Sequence, residues 1–472
     1  MRNLTPKDID KIKLYNDWEK KEKIIINDFE INIQKGTITQ EGYKKEKCEF
    51  SKLCKIMSLD EIKSILKLAK KVDFDKDPDS VDGMCSHEFY IKSPDLSNEI
   101  NGKYNFSANA KNIRKELKNI INPIIETRIN PYVRMLYSKH VEPERQCTPC
   151  YCFIRRYKPD ERITHATHRD GHAYATVVIS LSNYEEEYRG GIYVATSERE
   201  KNYIGLNRGD GIVHKHDLLH GVNVVNDGGE RWSLIIWYKD STKCIDYSNN
   251  WYKEKAYAGE AVYQSLYANQ VGGNEIITWH KKAADQGLSS SMVKLARAYL
   301  KKLPSNLEYC PEKAEEYYNL AIKTSQDPHA QYGLAEMMLG GLINIKNTSM
   351  LTLLNKVINL LEESAKGGNV FAMFNLGIAH VYGYTGTVNL ELAKDWFEFT
   401  NLPEGLMAAS LYYEGIKDTN MVNLLRSRAC QLGFGSEWRQ LSRKHTGLGG
   451  AGGVDINLPW PQLPNGIKPE IW

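Results

Sequence analysis

The sequence predicts a multidomain chain: an α+β unit built on a double-stranded β-helix, or jelly roll, followed by an all-α solenoid of helical repeats. Three observations predict it. Short β-rich runs recur from Phe153 to Tyr238 at spacings suited to an antiparallel jelly roll. Two amphipathic helical stretches precede them. From about 251 to 440 a small-x3-Leu-small pattern returns in phase at Ser291, Ala330 and Ala372, in steps of 39 and 42 residues.

A length of 472 residues exceeds one ordinary core and predicts two or three domains. With 42% hydrophobic and 26% charged residues the chain reads as globular rather than disordered. Lys and Arg number 62 against 59 Asp and Glu, a balance that argues against nucleic acid as a partner. The early lysines (Lys20, Lys21, Lys23, Lys44, Lys45, Lys47) are mixed with acids and read as a solvated helical face. No run approaches the roughly 18–20 apolar residues of a membrane span. The opening Met1 to Asp8 turns charged before any apolar core, so neither a signal peptide nor a membrane partner is expected. Nine irregularly spaced cysteines favour reduced thiols and a cytoplasmic location. Cys147-Thr148-Pro149-Cys150 lacks a second pair at zinc-site distance and runs into a strand, which favours ordinary thiols.

In order, residues 1–55 read as a polar N-terminal helical extension with a short apolar run at Ile24-Ile25-Ile26. The α+β unit spans 56–242. Ser58 is a plausible N-cap, with Glu61 three residues on, for a helix carrying Leu59, Ile62, Ile65, Leu66 and Leu68. A loop-rich stretch over 72–107 holds a strand at Glu88–Ile91, and a long helix follows from Ala108 to Tyr137, kinked at Pro123. The expected strands then lie at Phe153–Tyr157, Ala175–Leu181, Gly190–Val194, Gly211–Val213 and Trp232–Tyr238. The helical repeats span 251–445: Ala284-x-x-Gly287-x3-Ser291-x3-Leu295-Ala296 is echoed by Ala365-x-x-Gly368-x3-Ala372-x3-Leu376-Gly377. The Gly- and Pro-rich tail, 446–472, carries Trp460 and Trp472, which suggest that it docks rather than hangs free.

Six of the twelve histidines fall between Tyr151 and Asp240: His165, His168, His172, His214, His216 and His220. A mononuclear Fe(II) site that must also take a bidentate keto acid and dioxygen needs three protein ligands on one face. His168-Arg169-Asp170 offers two on one strand, since residues i and i+2 share a side. His220, eleven residues before Arg231, fits as the third. His214 and His216, seventeen and fifteen residues before Arg231, compete for that role with a poorer spacing, and the remaining histidines read as supporting or surface residues.

Residues 153–240 resemble the 2-oxoglutarate- and Fe(II)-dependent dioxygenases of the prolyl/procollagen-lysyl hydroxylase type. The pieces that carry the resemblance are Arg156-Tyr157, His168-Arg169-Asp170, the strand Thr176–Leu181, Gly190-Gly191, His220-Gly221-Val222, Gly229-Glu230-Arg231 and Trp237. It implies that His168, Asp170 and His220 bind iron and that Arg231 grips the distal carboxylate of 2-oxoglutarate, as a planar guanidinium can. Tyr157 and Ser233 are implied as further co-substrate contacts. A carboxylate at Asp170 occupies the position that related halogenases leave to chloride, which favours hydroxylation. The implied cofactors are Fe(II), 2-oxoglutarate and dioxygen, with ascorbate as an optional reductant. The repeats resemble the SEL-like branch of tetratricopeptide solenoids.

The implied reaction hydroxylates an unactivated C–H and decarboxylates 2-oxoglutarate to succinate. Prolyl or lysyl side chains of a protein or peptide are the family's habit, and the repeats would present such a partner. A small-metabolite hydroxylase and an inactive interaction scaffold are the alternatives; the intact ligand set speaks against the scaffold. The expected absence of a signal peptide departs from the secreted collagen hydroxylases. Substrate identity and oligomeric state are not encoded in any motif.

Overall fold

The computed structural model describes residues 4–436 and 456–461, leaving out 10, 41–46, 80, 98–103, 138–146, 197–199, 226–228, 241–243, 245–249, 304 and 344–348. The expectations for Lys44, Lys45, the Gly447–Gly453 run and Trp472 lie outside the described residues.

A short helix α1 (Pro6–Ile9) and strand β1 (Lys13–Leu14) lead into β2 (Trp18–Ile26), β3 (Phe29–Thr39) and β4 (Lys47–Cys54). The helical reading of residues 1–55 is thereby corrected. Period two decides it: Ile31 and Ile33 are buried while Glu30 and Asn32 between and beside them are exposed. Asn27 and Asp28 both have positive φ (48° and 62°) and close a two-residue hairpin. Lys23–Glu30 and Lys35–Glu22 pair at 2.5 and 2.9 Å across that hairpin, one pair on each face, as cross-strand neighbours rather than neighbours on a helix.

Helix α2 (Leu59–Ala69) opens with the expected capping box, in which Ser58 Oγ accepts from Glu61 N–H and Glu61 accepts from Ser58 N–H at 2.7 Å. After β5 (Asp75–Pro78) and β6 (Cys85–Lys92), α3 (Ala108–Ile124) passes through a π-helical turn (Ile125–Ile129) into α4 (Asn130–Tyr137). The turn follows Pro123, which has no N–H to give the helix, and Thr127 Oγ1 donates to the Pro123 carbonyl at 2.7 Å.

Eight strands follow: β7 (Thr148–Tyr157), β8 (Thr164–His168), β9 (Ala175–Ser180), β10 (Gly190–Ala195), β11 (Lys201–Tyr203), β12 (Gly211–Lys215), β13 (His220–Val224) and β14 (Arg231–Lys239). A nine-stranded antiparallel sheet has the order β2-β3-β4-β12-β9-β14-β7-β6-β5; a five-stranded sheet has the order β1-β11-β10-β13-β8. One face of the large sheet packs Ile154, Val177, Ile179, Leu234 and Ile236 under α2, α3 and α4. Its other face shares a core with the small sheet, where Phe153, Val178, Ile212 and Ile235 meet Ile192, Val194, Val222 and Val224. Up to the bulge at Trp237/Tyr238, the odd-numbered residues of β14 and of its partner stretch 151–157 in β7 therefore point between the sheets, and Arg231, Ser233 and Tyr157 are among them.

Among the described residues, eleven helices make up the second region: α5 (Asn250–Tyr257), α6 (Ala261–Ala268), α7 (Glu275–Asp285), α8 (Ser289–Tyr299), α9 (Pro311–Ser325), α10 (Pro328–Leu339), α11 (Met350–Lys366), α12 (Val370–Tyr382), α13 (Leu390–Thr400), α14 (Pro403–Gly415) and α15 (Thr419–Gln431). The repeat motif is a helix end plus the next helix start. Gly287 and Gly368 stand at φ 94° and 86°, and the matching bonds Leu288 N–H to Ala283 O and Asn369 N–H to Ser364 O close the helices. Ser291, Ala330 and Ala372 are fully buried between helices.

The helical region touches the sheets at both ends. Tyr252 on α5 donates to the Gly171 carbonyl, and Tyr263 on α6 bonds His216 at 3.1 Å. At the far end Arg428 on α15 donates to Glu161 O at 3.2 Å, and Lys76 on β5 donates to Gln431 at 2.6 Å. The all-thiol expectation is also corrected: Cys150 is disulfide-bonded to Cys244 across a Cα separation of 5.3 Å. The two lie 94 residues apart, and only the β7–β14 pairing brings them together. Cys147 and Cys152 are buried free thiols. No helix among the described residues is long and apolar enough to cross a membrane.

Candidate metal centre

β8 and β13 are antiparallel neighbours in the small sheet, and His168 stands directly opposite His220. Directly opposed residues are the closest pairs a sheet offers; here the two imidazole centroids are 4.5 Å apart. β8 ends at His168, so Asp170 belongs to the turn that follows rather than to the strand. Strand parity thus does not deliver it. It is held instead by Thr176 Oγ1, which donates to Asp170 Oδ2 at 2.5 Å, by Ala173 N–H on its carbonyl, and by Tyr252 on the adjoining Gly171 carbonyl.

His168 Nε2 lies 3.2 Å from Asp170 Oδ1, and His220 Nε2 lies 3.7 Å from Asp170 Oδ2. One ligand atom from each residue falls within 4.8 Å of the others, and this trio is the one such metal-capable group among the described residues. Both rings are turned so that Nδ1 faces a main-chain carbonyl: Ala166 O at 2.8 Å for His168 and Leu218 O at 3.0 Å for His220. A proton on each Nδ1 leaves each Nε2 lone pair directed at the shared centre.

Burial pushes the His220 imidazole well below its ordinary pKa, aided by His214. Burial alone would lower His168, but the hydrogen bond and charge of Asp170, with the Ala166 carbonyl and Asp79, together raise it. Burial alone would raise Asp170, but His220 and the hydrogen-bonded His168 hold it well below the usual carboxylate range. Two neutral-capable imidazoles and one carboxylate on one face are a donor set that suits a divalent iron with open positions.

Arg231 opens β14 opposite Tyr157 and is 1% exposed. Its guanidinium lies 5.6 Å from the Tyr157 ring and 5.8 Å from the Tyr188 ring. Its Nε and Nη2 are buried without a hydrogen-bond partner, and so is Ser233 Oγ two residues on. A buried guanidinium without an acceptor is costly unless an anion completes it. Gly191 makes the room: a Cβ there would stand 2.6 Å from the Tyr188 ring and 3.4 Å from Arg231 Nε.

Sequence reasoning set His165 aside, yet it packs against the trio. Asp79 Oδ2 accepts from His165 Nε2–H at 2.9 Å, which leaves His165 Nδ1 as an acceptor 3.2 Å from His168 Nδ1. Burial pushes His165 down to about 4, against the pull of Asp79, so it is neutral at pH 7. Burial would raise Asp79, but His165, Arg162 and Arg155 hold it well below its usual range. His214 lies 4.3 Å from the His220 ring with Nε2 buried and unpartnered. His216 is tied instead to Tyr174 O and Tyr263, and exposed His172 packs its ring 4.1 Å from Trp237.

No family model matches the chain, and no curated protein is significantly similar to it in sequence. Solved structures similar to it include Sel1 repeat proteins and 2-oxoglutarate-dependent enzymes. One is a Sel1 repeat protein from Oxalobacter formigenes, 19% identical with a TM-score of 0.36 over 42% of this chain and 59% of that one. Another is an oxidoreductase of the 2OG-Fe(II) oxygenase family from Burkholderia pseudomallei, 18% identical with a TM-score of 0.29 over 40% of this chain and 84% of that one. A prolyl-4-hydroxylase from Pseudomonas putida is 12% identical with a TM-score of 0.25, covering 40% of this chain and 91% of that one. The chain thus spans little more than half the length of the Sel1 repeat protein. These likenesses are partial and assign no residue a role.

Proposed function

We propose that the chain is an Fe(II)- and 2-oxoglutarate-dependent dioxygenase that hydroxylates an unactivated C–H, with a prolyl or lysyl side chain of a protein or peptide as substrate. In this reading the two facing sheets are the double-stranded β-helix, and His168, Asp170 and His220 hold the iron. The observation that carries it is the pairing of two incomplete sites. A His–Asp–His trio whose two imidazoles and carboxylate converge within 4.8 Å suits a metal. A buried Arg231 with unpartnered Nε and Nη2, beside an unpartnered Ser233 Oγ, calls for an acid.

Bound Fe(II) with 2-oxoglutarate and dioxygen supplies the oxidation, in which one oxygen atom enters the substrate and the other enters succinate as carbon dioxide leaves. The chain's own residues bind and orient. Arg231 meets the distal carboxylate with two parallel N–H donors, and Ser233 Oγ gives a third contact on the same strand face. Tyr157, opposite Arg231, walls the co-substrate. Asp170 balances part of the metal charge, and its Thr176 bond fixes which oxygen faces the centre. The helical region supports a protein substrate, because α5 holds the Asp170 loop while the repeats extend from it.

Purified chain supplied with Fe(II) and 2-oxoglutarate should release succinate slowly without substrate. Incubation with cell lysate should add one oxygen to peptides, read by mass spectrometry. Oxygen added only to small metabolites would replace the protein-substrate reading, and no iron binding would remove the enzyme reading.

A further inference from the structure

His214 sits on β12 directly opposite Thr176 of β9, the residue whose Oγ1 donates to Asp170 Oδ2. Ile212, two residues earlier on the same strand, belongs to the core between the sheets, so parity points His214 into that space as well. There it meets the small sheet. Its ring centroid is 4.3 Å from that of His220 at an interplanar angle of 56°, and the side chain is fully buried.

The two nitrogens of this ring are placed differently. Nδ1 lies 2.8 Å from the Lys215 carbonyl, which can only accept, so Nδ1 carries the proton. Nε2, on the ring edge away from that main chain, is buried without a hydrogen-bond partner. A second proton there would make a buried cation with no acceptor, so Nε2 presents a lone pair. A buried lone pair calls for a donor. The donors beside it are already committed: the Thr176 hydroxyl to Asp170, and His220 Nδ1–H to the Leu218 carbonyl. His214 is also not one of the three residues whose ligand atoms gather within 4.8 Å. It stands one layer outside the ligand set, where a side chain reaches a metal through a bound water.

We propose that His214 is a positioning residue of the metal centre, its Nε2 accepting a hydrogen bond from a water at one of the positions that His168, Asp170 and His220 leave open. The inference rests on the reading of those three residues as the metal ligands. The test titrates Co(II), whose visible absorption reports its coordination number, into the full-length chain. His214→Phe keeps a ring and removes the lone pair. Its Co(II) band should intensify, as when a six-coordinate ion loses a ligand, and its Co(II) affinity should fall about 10-fold. His214→Gln, whose Oε1 can again accept, should restore both. If the Phe variant does not fold, His214→Leu carries the same expectation. His168→Ala should lose Co(II) altogether. An unsubstituted chain that binds no Co(II) would remove the ligand reading and this inference with it. A folded His214→Phe chain with unchanged band and affinity, or a Gln variant no better than the Phe variant, would overturn this inference alone.

Discussion

Arg231 and Tyr157 stand opposite each other on adjacent antiparallel strands, with the guanidinium 5.6 Å from the phenol ring and two of its nitrogens buried without an acceptor. That arrangement gives a direct prediction. Arg231→Ala should raise the 2-oxoglutarate dissociation constant by roughly 10- to 100-fold, the worth of a charged hydrogen-bond pair of about 1.5–3 kcal/mol. Iron affinity should not change. Arg231→Lys should recover little, since an ammonium cannot present two parallel donors. Calorimetric titration of 2-oxoglutarate into the metal-loaded chain measures both.

Gly191 protects that arginine. Its φ of 87° lies where side chains are strained, and an added Cβ would press on the Tyr188 ring. Gly191→Ala should cost about 1–3 kcal/mol of stability and weaken 2-oxoglutarate binding along with it. Chemical denaturation and the same titration give the two readouts.

His165 packs against His168, one of the three proposed iron ligands, through their facing Nδ1 atoms. His165→Phe keeps the ring and removes the acceptor that faces His168 Nδ1. Metal affinity should fall about 10- to 100-fold, the usual scale for such supporting bonds, whereas His168→Ala should abolish it. An unchanged affinity in the His165→Phe chain would remove the Asp79–His165–His168 chain from the account.

Asp75 supplies a pH test away from the site. Burial raises its carboxyl from 3.8 to about 6; Asp77 adds to the rise, and the Asn105 N–H at 2.7 Å opposes it. Its Oδ2 is buried without a partner. The folded state therefore holds this proton more tightly than the unfolded state, and stability falls as pH rises from about 4 to about 6. Asp75→Asn keeps an acceptor for Asn105 and removes the charge. It should be the more stable chain above pH 6, with the difference vanishing below pH 4, in melts taken across that range.

Much of this fold is legible from residue patterns, because strands and helices buried on one side print their period on the sequence. The runs at Phe153–Tyr157 and Trp232–Tyr238, and the Gly287 and Gly368 helix stops, are of that kind. The N-terminal hairpin hid its period because Ile24-Ile25-Ile26 is an unbroken run and the lysines around it suit a helix face equally well. Its legible signal was Asn27-Asp28 between alternating residues. Asp170 was picked out by its neighbours in sequence, although a turn rather than strand parity positions it. The Cys150–Cys244 bond and the Asp79–His165 contact join residues 94 and 86 positions apart. Only the completed sheet brings them together, and no local pattern announces either.

The buried trio and the buried Arg231 are proposed to form one working iron and 2-oxoglutarate site. Succinate release by the purified chain, measured with and without Fe(II) and dioxygen, tests it most directly. Release should require Fe(II), dioxygen and 2-oxoglutarate, and should disappear in Asp170→Ala while the fold remains. Release that persists in that variant, or a folded chain that binds no iron and makes no succinate, would contradict it.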